Sequence, residues 1–197
     1  MSLIKRIAFH PFKGHLLRLA RWRALEKFHI ITPHLEKHHD VLDIGSGNGV
    51  LCHMLQTTGY RVTPLDVKHA SLVDGVNPVL YDGKALPFKD KHFDVSLLIT
   101  MLHHTPCPKR ILMEARRVSR RLIVMEEIYS HKLHKKITHL IDSVFNLEFK
   151  GHPHSNKSDV EWRNLFHRLN LDLYHAHYSN SAIVLKRVTY ILRHTYD

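Results

Sequence analysis

Val41-Leu42-Asp43-Ile44-Gly45-Ser46-Gly47-Asn48-Gly49 decides the fold. A short apolar run holding one acid turns through three glycines into Val50-Leu51-Cys52-His53-Met54-Leu55, residues that suit a helix. The order is strand, tight turn, helix start. Glycine lets the backbone turn sharply and lets a ligand approach it closely, because no Cβ intervenes. The helix N-terminus behind the turn offers free N–H groups and a partial positive charge. A ligand bearing a carboxylate or phosphate suits such a place.

A dinucleotide fingerprint requires Gly-x-Gly-x-x-Gly/Ala. Counting from Gly45, its sixth place holds Val50, so the pattern fails there. What stands is Asp43-x-Gly45-x-Gly47-x-Gly49, which resembles motif I of the class I S-adenosylmethionine (SAM)-dependent methyltransferases. After the helix Asn48–Thr57, Gly59 breaks the chain and Arg61–Asp66 reads as a second strand ending in an acid. In open α/β sheets ligands sit outside those strand ends. One carboxylate there has lone pairs enough for both ribose hydroxyls, which fits a nicotinamide enzyme as well as a SAM enzyme.

Asn77–Tyr81 is a short third strand, and Asp82-Gly83-Lys84-Ala85-Leu86-Pro87-Phe88 follows it. His92–Ile99 is a fourth strand with the apolar run of a parallel strand buried on both faces, continued by Thr100-Met101-Leu102-His103-His104-Thr105. With these segments in order, residues 40–128 resemble the type 11 methyltransferase-domain family, which is similar to the quinone C-methyltransferases and small-molecule methyltransferases. The family usually places Pro-Gly-Gly before its fifth strand. This chain has Val118-Ser119-Arg120-Arg121, which implies a tighter turn and leaves the fifth strand, Arg120–Glu127, open by a residue or two.

The resemblance implies a SAM cofactor and assigns its contacts. Gly45, Ser46, Gly47 and Gly49 pass under the methionine part, and Asp43 orients that loop and the ammonium group. Asp66 with Val67 holds the ribose. Asp82 with Gly83 meets the adenine. Thr100 and Met101 lie near the transferable methyl. His103 and His104 are the candidate general bases, since histidine titrates near physiological pH; the alternative is a histidine of the pocket wall. His152, His154 and Tyr129 are weaker candidates.

The implied fold is α/β, a Rossmann-like three-layer αβα sandwich with a seven-strand, mostly parallel sheet and an antiparallel last strand. Pro106–Ser119 has helical periodicity, Asp159–Phe166 reads as a helix capped by Ser158, and Leu171–Tyr178 and Val188–Arg193 read as the last two strands. Residues 1–197 are expected to form one domain, with a basic helical region over 1–38 and a cap insertion over 129–158.

Up to Arg23 the N-terminal region carries Lys5, Arg6, Lys13, Arg18, Arg21 and Arg23 and no acid. Leu16, Leu17, Ala20, Ala24 and Phe28 recur at helical spacing. Pro11 and Gly14 predict a short helix, a break, and a helix from about His15 to Ile30. One reading is a helix that lids the cofactor site or packs on the sheet. Another is a basic surface helix that meets lipid headgroups at a membrane or RNA phosphates. A targeting segment is a minor third.

Composition sets the remaining bounds. The 197 residues are 44% hydrophobic and 24% charged, ordinary for a globular chain. Two cysteines, Cys52 and Cys107, make no disulfide framework and favour a reducing compartment; a cytoplasmic place, peripheral at a membrane or not, is expected. No apolar run approaches the ~20 residues of a transmembrane segment. The 29 Lys+Arg against 18 Asp+Glu give +11, which favours anionic partners. His152-Pro153-His154 and His175-Ala176-His177 lack zinc-site spacing, and no metal is expected. Thr100–His103 also stands where an amino-methylating nucleic-acid enzyme often has Asn/Asp-Pro-Pro-Tyr/Phe. The expected methyl acceptor is therefore a small or lipid-like molecule. The alternatives are an RNA methyltransferase tracking phosphates with the N-terminal region and Lys132, Lys135 and Lys136, and a non-catalytic methyltransferase-like partner. The intact Asp43, Gly45, Gly47, Asp66 and Asp82 argue against the latter.

Overall fold

The computed structural model describes residues 13–129, 156–180 and 186–194. The chain before Lys13 and most of the expected cap lie outside the described residues, and with them Lys132, Lys135, Lys136, His152 and His154. The elements are α1 (Lys13–Ile31), a 3-10 turn (Thr32–His34), β1 (Asp40–Ile44), α2 (Val50–Thr57), β2 (Arg61–Asp66), β3 (Val79–Leu80) and β4 (Phe93–Ile99). There follow a 3-10 turn (Leu102–His104), α3 (Pro108–Val118), β5 (Ser119–Ile128), α4 (Asp159–Arg168), β6 (Leu171–Asn180) and β7 (Lys186–His194).

The sheet order is β3-β2-β1-β4-β5-β7-β6. β7 alone runs against its neighbours, antiparallel to both β5 and β6. The expected sandwich is thus present, with the last strand antiparallel and the β7–β6 pair at the sheet edge. Alternation along each strand splits the core between two faces. Leu42, Ile44, Leu98, Leu122 and Val124 face α3 and α4, where Leu112, Ala115, Trp162 and Phe166 meet them. Val41, Val95, Leu97, Ile123 and Met125 face the other way, against Ala24 and Ile31 of α1 and Leu51 and Leu55 of α2. Each fully buried Leu or Ile adds about 1.5–3 kcal/mol.

Three expectations move. α1 starts at Lys13, so Gly14 lies inside its first turn instead of breaking it. β3 shrinks to two residues at an open sheet edge. The missing Pro-Gly-Gly is explained by the absence of any turn residue: Ser119 is at once the C-cap of α3, with extended backbone, and the first residue of β5. Its hydroxyl hydrogen-bonds that of Ser96, both side chains being fully buried.

α4 is locked by its own sequence. Ser158 and Glu161 form a reciprocal capping box. Asp159 accepts from Tyr190 Oη at 2.7 Å, Tyr178 Oη at 2.8 Å and Arg163 Nε at 2.9 Å. That fixes the helix against β6 and β7.

Candidate active site

β1 ends at Ile44, and the glycines that follow all take left-handed backbone, with φ of 74° at Gly45, 54° at Gly47 and 74° at Gly49. Their surroundings differ. A Cβ on Gly45 would lie 3.0 Å from Met101 Cβ, and one on Gly49 would lie 2.6 Å from Ser71 Oγ and 3.1 Å from Val76 Cγ1. A Cβ on Gly47 would meet only Gly45 O, at 3.8 Å. The fold closes on the outer two glycines, while the middle one faces open space. Gly45 and Ser46 donate their N–H groups to Leu65 O at 2.8 and 3.1 Å, and Ser46 O accepts from Gly49 N–H at 3.0 Å. The turn is therefore stitched to β2 before any ligand arrives. Asn48 Oδ1 accepts from Val50 N–H at 3.1 Å and satisfies one of the first-turn donors of α2.

At the end of β2, Asp66 Oδ2 accepts from Gly47 N–H at 2.8 Å and Oδ1 from Lys68 N–H at 3.1 Å. One carboxylate so ties the glycine turn to the next loop and keeps a lone pair on each oxygen. Val67 is 56% exposed, and its Cγ1 lies 3.4 Å from where a Gly83 Cβ would be. Val67 and Gly83 are thus neighbours in van der Waals contact. Asp82 Oδ1 accepts from Lys84 and Ala85 N–H at 2.8 and 3.2 Å. Those backbone hydrogen bonds hold its carboxyl below the usual range. α3 clamps this loop from beneath. Glu114 Oε2 accepts from Leu86 N–H at 2.8 Å. Arg117 donates to Leu86 O at 2.9 Å, to Phe88 O at 2.8 Å and to Glu114. Sequence reasoning missed Glu114 and Arg117; their i, i+3 spacing on one helix was the available signal.

Past β4, Thr100 has φ of 53°, and its N–H donates to Met125 O at 2.7 Å. Its Oγ1 accepts from Lys27 Nζ at 2.7 Å, so α1 reaches the end of the sheet. Burial pushes the Lys27 ammonium down to about 8, with the nearby Arg187 and Arg23 charges acting in the same sense. Asp43 is also buried, which raises its carboxyl to about 7 against the opposing pull of Lys27. Glu126, at the end of β5, is fully buried and uses both oxygens. Oε1 accepts from Met101 N–H at 3.1 Å and Leu102 N–H at 2.8 Å, and Oε2 accepts from His103 Nδ1 at 2.6 Å. The His104 ring lies against that of His103, with centroids 4.0 Å apart. Neither Lys27 nor Glu126 was found from the sequence.

The structure thus gathers Asp43, Gly45, Ser46, Gly47, Gly49, Asp66, Val67, Asp82, Gly83, Thr100, Met101, His103 and His104 along the C-terminal ends of the parallel strands and the loops that follow. Tyr129 is engaged elsewhere: its Oη donates to Glu161 Oε2 at 2.9 Å, within the cap of α4. His175 and His177 stand on β6, three strands from β4.

Residues 42–122 match the family model described as "Methyltransferase domain". Over those residues the chain is similar to that family. The tRNA U34 carboxymethyltransferase of Nautilia profundicola is 30% identical over 117 residues, 53% of this chain and 39% of that protein. The ubiquinone biosynthesis O-methyltransferase of Saccharophagus degradans is 34% identical over 83 residues, 36% of this chain and 35% of that protein. The chain therefore spans well under half the length of these curated relatives. Among solved structures, a chain from the complex between the Haloferax volcanii Trm112 methyltransferase activator and a methyltransferase superposes with a TM-score of 0.70. The identity is 14%, and the match covers 98% of this chain and 99% of that one. At that identity the match bears on the fold alone.

The residues of the domain fit SAM. Gly47 has an unfilled side, and Asp66 and Asp82 each keep lone pairs open beyond their backbone hydrogen bonds. Asp43 and Lys27 set the charge between the turn and Thr100. Beyond this line, a cleft of about 340 Å³ is lined by Cys107, Lys109, Lys157, Glu161 and Arg168.

Proposed function

We propose that this protein transfers the methyl group of SAM to a nucleophilic atom of a small or lipid-like acceptor. The observation that carries this reading is the buried pair His103–Glu126 beside Thr100 and Met101. When bound, the cofactor supplies a methyl on a sulfonium, which leaves as a neutral thioether. The chain's own part is to position and to manage one proton. Gly47 and Asp66 hold the cofactor side, and Asp82, with Val67 and Gly83 beside it, orients its base. Glu126 fixes the His103 ring with the proton on Nδ1, so Nε2 is the basic nitrogen and receives the acceptor's proton. α1 reaches the site through Lys27 and Thr100, and the motif after β4 lacks the Asn/Asp-Pro-Pro-Tyr/Phe element of amino-methylating nucleic-acid enzymes, which favours a small acceptor.

Calorimetric titration with SAM, and separately with NAD, tests the first half. Saturable SAM binding, weakened at least about tenfold by Asp66→Ala in a still-folded protein, is expected, with no NAD response. A folded protein that ignores SAM would overturn methyl transfer in favour of a non-catalytic binding role. The second half is tested by replacing His103 and His104 separately: SAM affinity should stay, and turnover should fall for His103.

One observation favours RNA as a second reading. The cleft between Cys107 and Arg168 carries Lys109, Lys157 and Arg168 against one carboxylate, which suits phosphates, and one relative is named for a tRNA. RNA affinity falling steeply with salt would support it.

A further inference from the structure

α1 has two faces with different tasks. Inward, Ala24 and Ile31 are buried in the core, Lys27 reaches Thr100, and Glu26 accepts from the buried Arg187 at 2.8 Å. Outward, Leu19, Trp22 and Leu25 are 42%, 63% and 44% exposed. Spaced three apart, they fall on one side of the helix, and the exposed Arg18 and Arg21 stand among them. Glu26 is the helix's only acid, and it is turned to Arg187. The outer face is therefore apolar and cationic, and Glu26 at its border is neutralised by Arg187. Single exposed hydrophobes need no explanation, but three on one helix face including a tryptophan ask for a cover. Tryptophan, apolar in body and polar at its N–H, is favoured where hydrocarbon meets water. Arginine can lay its stem on apolar surface and keep its charge in the headgroups.

We propose that this face of α1 docks on an anionic phospholipid surface, the helix lying in the interface plane. Charge complementarity selects the occupant: on a chain of formal charge +11, this apolar face carries Arg18 and Arg21, and basic helices with Trp and Leu bind anionic lipid through both terms. Because Lys27 and Thr100 meet beneath the same helix, docking places the acceptor site at the membrane. That last step rests on the lipid-like acceptor proposed above; the docking does not.

The test is co-sedimentation of the full chain with vesicles of phosphatidylglycerol mixed with phosphatidylcholine, against vesicles of phosphatidylcholine alone. Binding is expected only to the first, weaker at high salt. The joint variant Leu19→Ala, Trp22→Ala, Leu25→Ala should lower the partition coefficient at least about tenfold. Trp162 is fully buried, so the emission change on docking should come from Trp22. A blue shift is expected with wild type and none with Trp22→Phe, which should still bind. Absence of vesicle binding, or binding indifferent to the triple substitution, would overturn the proposal. So would light scattering or RNA titration showing that the triple variant instead loses self-association or RNA affinity. SAM titration of the same samples separates the two readings: SAM binding without vesicle binding removes docking alone, and the reverse removes methyl transfer alone.

Discussion

Glu126→Gln should switch off proton transfer while leaving the fold in place. The two oxygens of Glu126 have separate duties: Oε1 takes the N–H groups of Met101 and Leu102, and Oε2 takes His103 Nδ1. A glutamine that keeps its oxygen in the Oε1 position retains both backbone bonds. Its amide NH₂ then faces His103 Nδ1, and two donors cannot pair. The imidazole relieves this by moving its proton to Nε2, so that Nδ1 accepts. The stability cost is one charge-assisted hydrogen bond exchanged for a neutral one, about 1–2 kcal/mol. The catalytic cost is larger, because Nε2 now carries the proton it should receive. Loss of a positioned base costs about 10²–10⁴-fold in rate, which is about 2.7–5.5 kcal/mol at 1.36 kcal/mol per tenfold. Two assays follow the chain of reasoning separately. Nitrogen NMR of the His103 ring should show the tautomer change without any acceptor present, and SAM titration should show an affinity within a few-fold of wild type. A variant with the wild-type tautomer, or one that turns over at wild-type rate with the tautomer changed, would refute the argument at its first or second link.

Gly49→Ala and Gly47→Ala share a left-handed backbone cost of about 1–2 kcal/mol, but only the former drives a Cβ into Ser71 and Val76, adding about 1–3 kcal/mol of overpacking. Urea unfolding should rank Gly49→Ala as the less stable and SAM titration should still find Gly47→Ala impaired; equal stabilities would sink the packing distinction. Asp43, raised to about 7 by burial, should lose its charge as pH falls through that value. SAM affinity measured against pH should decline below about 7, and Asp43→Asn should flatten the profile. The stability sign is opposite: between the unfolded value near 3.8 and 7 the folded state binds the extra proton, so this group's contribution to apo stability grows as pH falls through the window. Arg117→Met removes the donors to Leu86 O and Phe88 O and should cost about 1–3 kcal/mol and several-fold in SAM affinity; proteolysis within residues 82–90 should quicken, and an unchanged cleavage rate would contradict the clamp.

What the sequence disclosed and what it withheld divide along a physical line. Motifs whose meaning is local were legible: the Asp43–Gly49 turn, the acid closing β2, the Asp82 loop and the Ser158–Glu161 cap all depend on residues a few positions apart. β2 was placed at Arg61–Asp66 to the residue because Gly59 and the acid bracket it. The partners that complete the site are distant in the chain. Glu126 lies 23 residues from His103, and Lys27 lies 73 from Thr100. No periodicity relates them. Only the sheet order, which sets β5 beside β4 and lays α1 over their ends, brings them together.

That difference bears on which histidine matters. Leu102-His103-His104 offered two rings with equal claims in the sequence. The 3-10 turn over Leu102–His104 gives them unequal places: His103 is 2% exposed with its Nδ1 on a buried carboxylate, while His104 is partly exposed, its ring tilted 43° against that of His103. A carboxylate that is already satisfied by two backbone N–H groups and has one oxygen left for a ring nitrogen is an orienting device rather than a random ion pair. The same Glu126 sets the backbone of Met101, whose side chain lies over Gly45. One buried carboxylate thus connects the candidate base to the glycine turn, and a change at Glu126 should be felt at both the acceptor and the cofactor sides of the site, more strongly at the first.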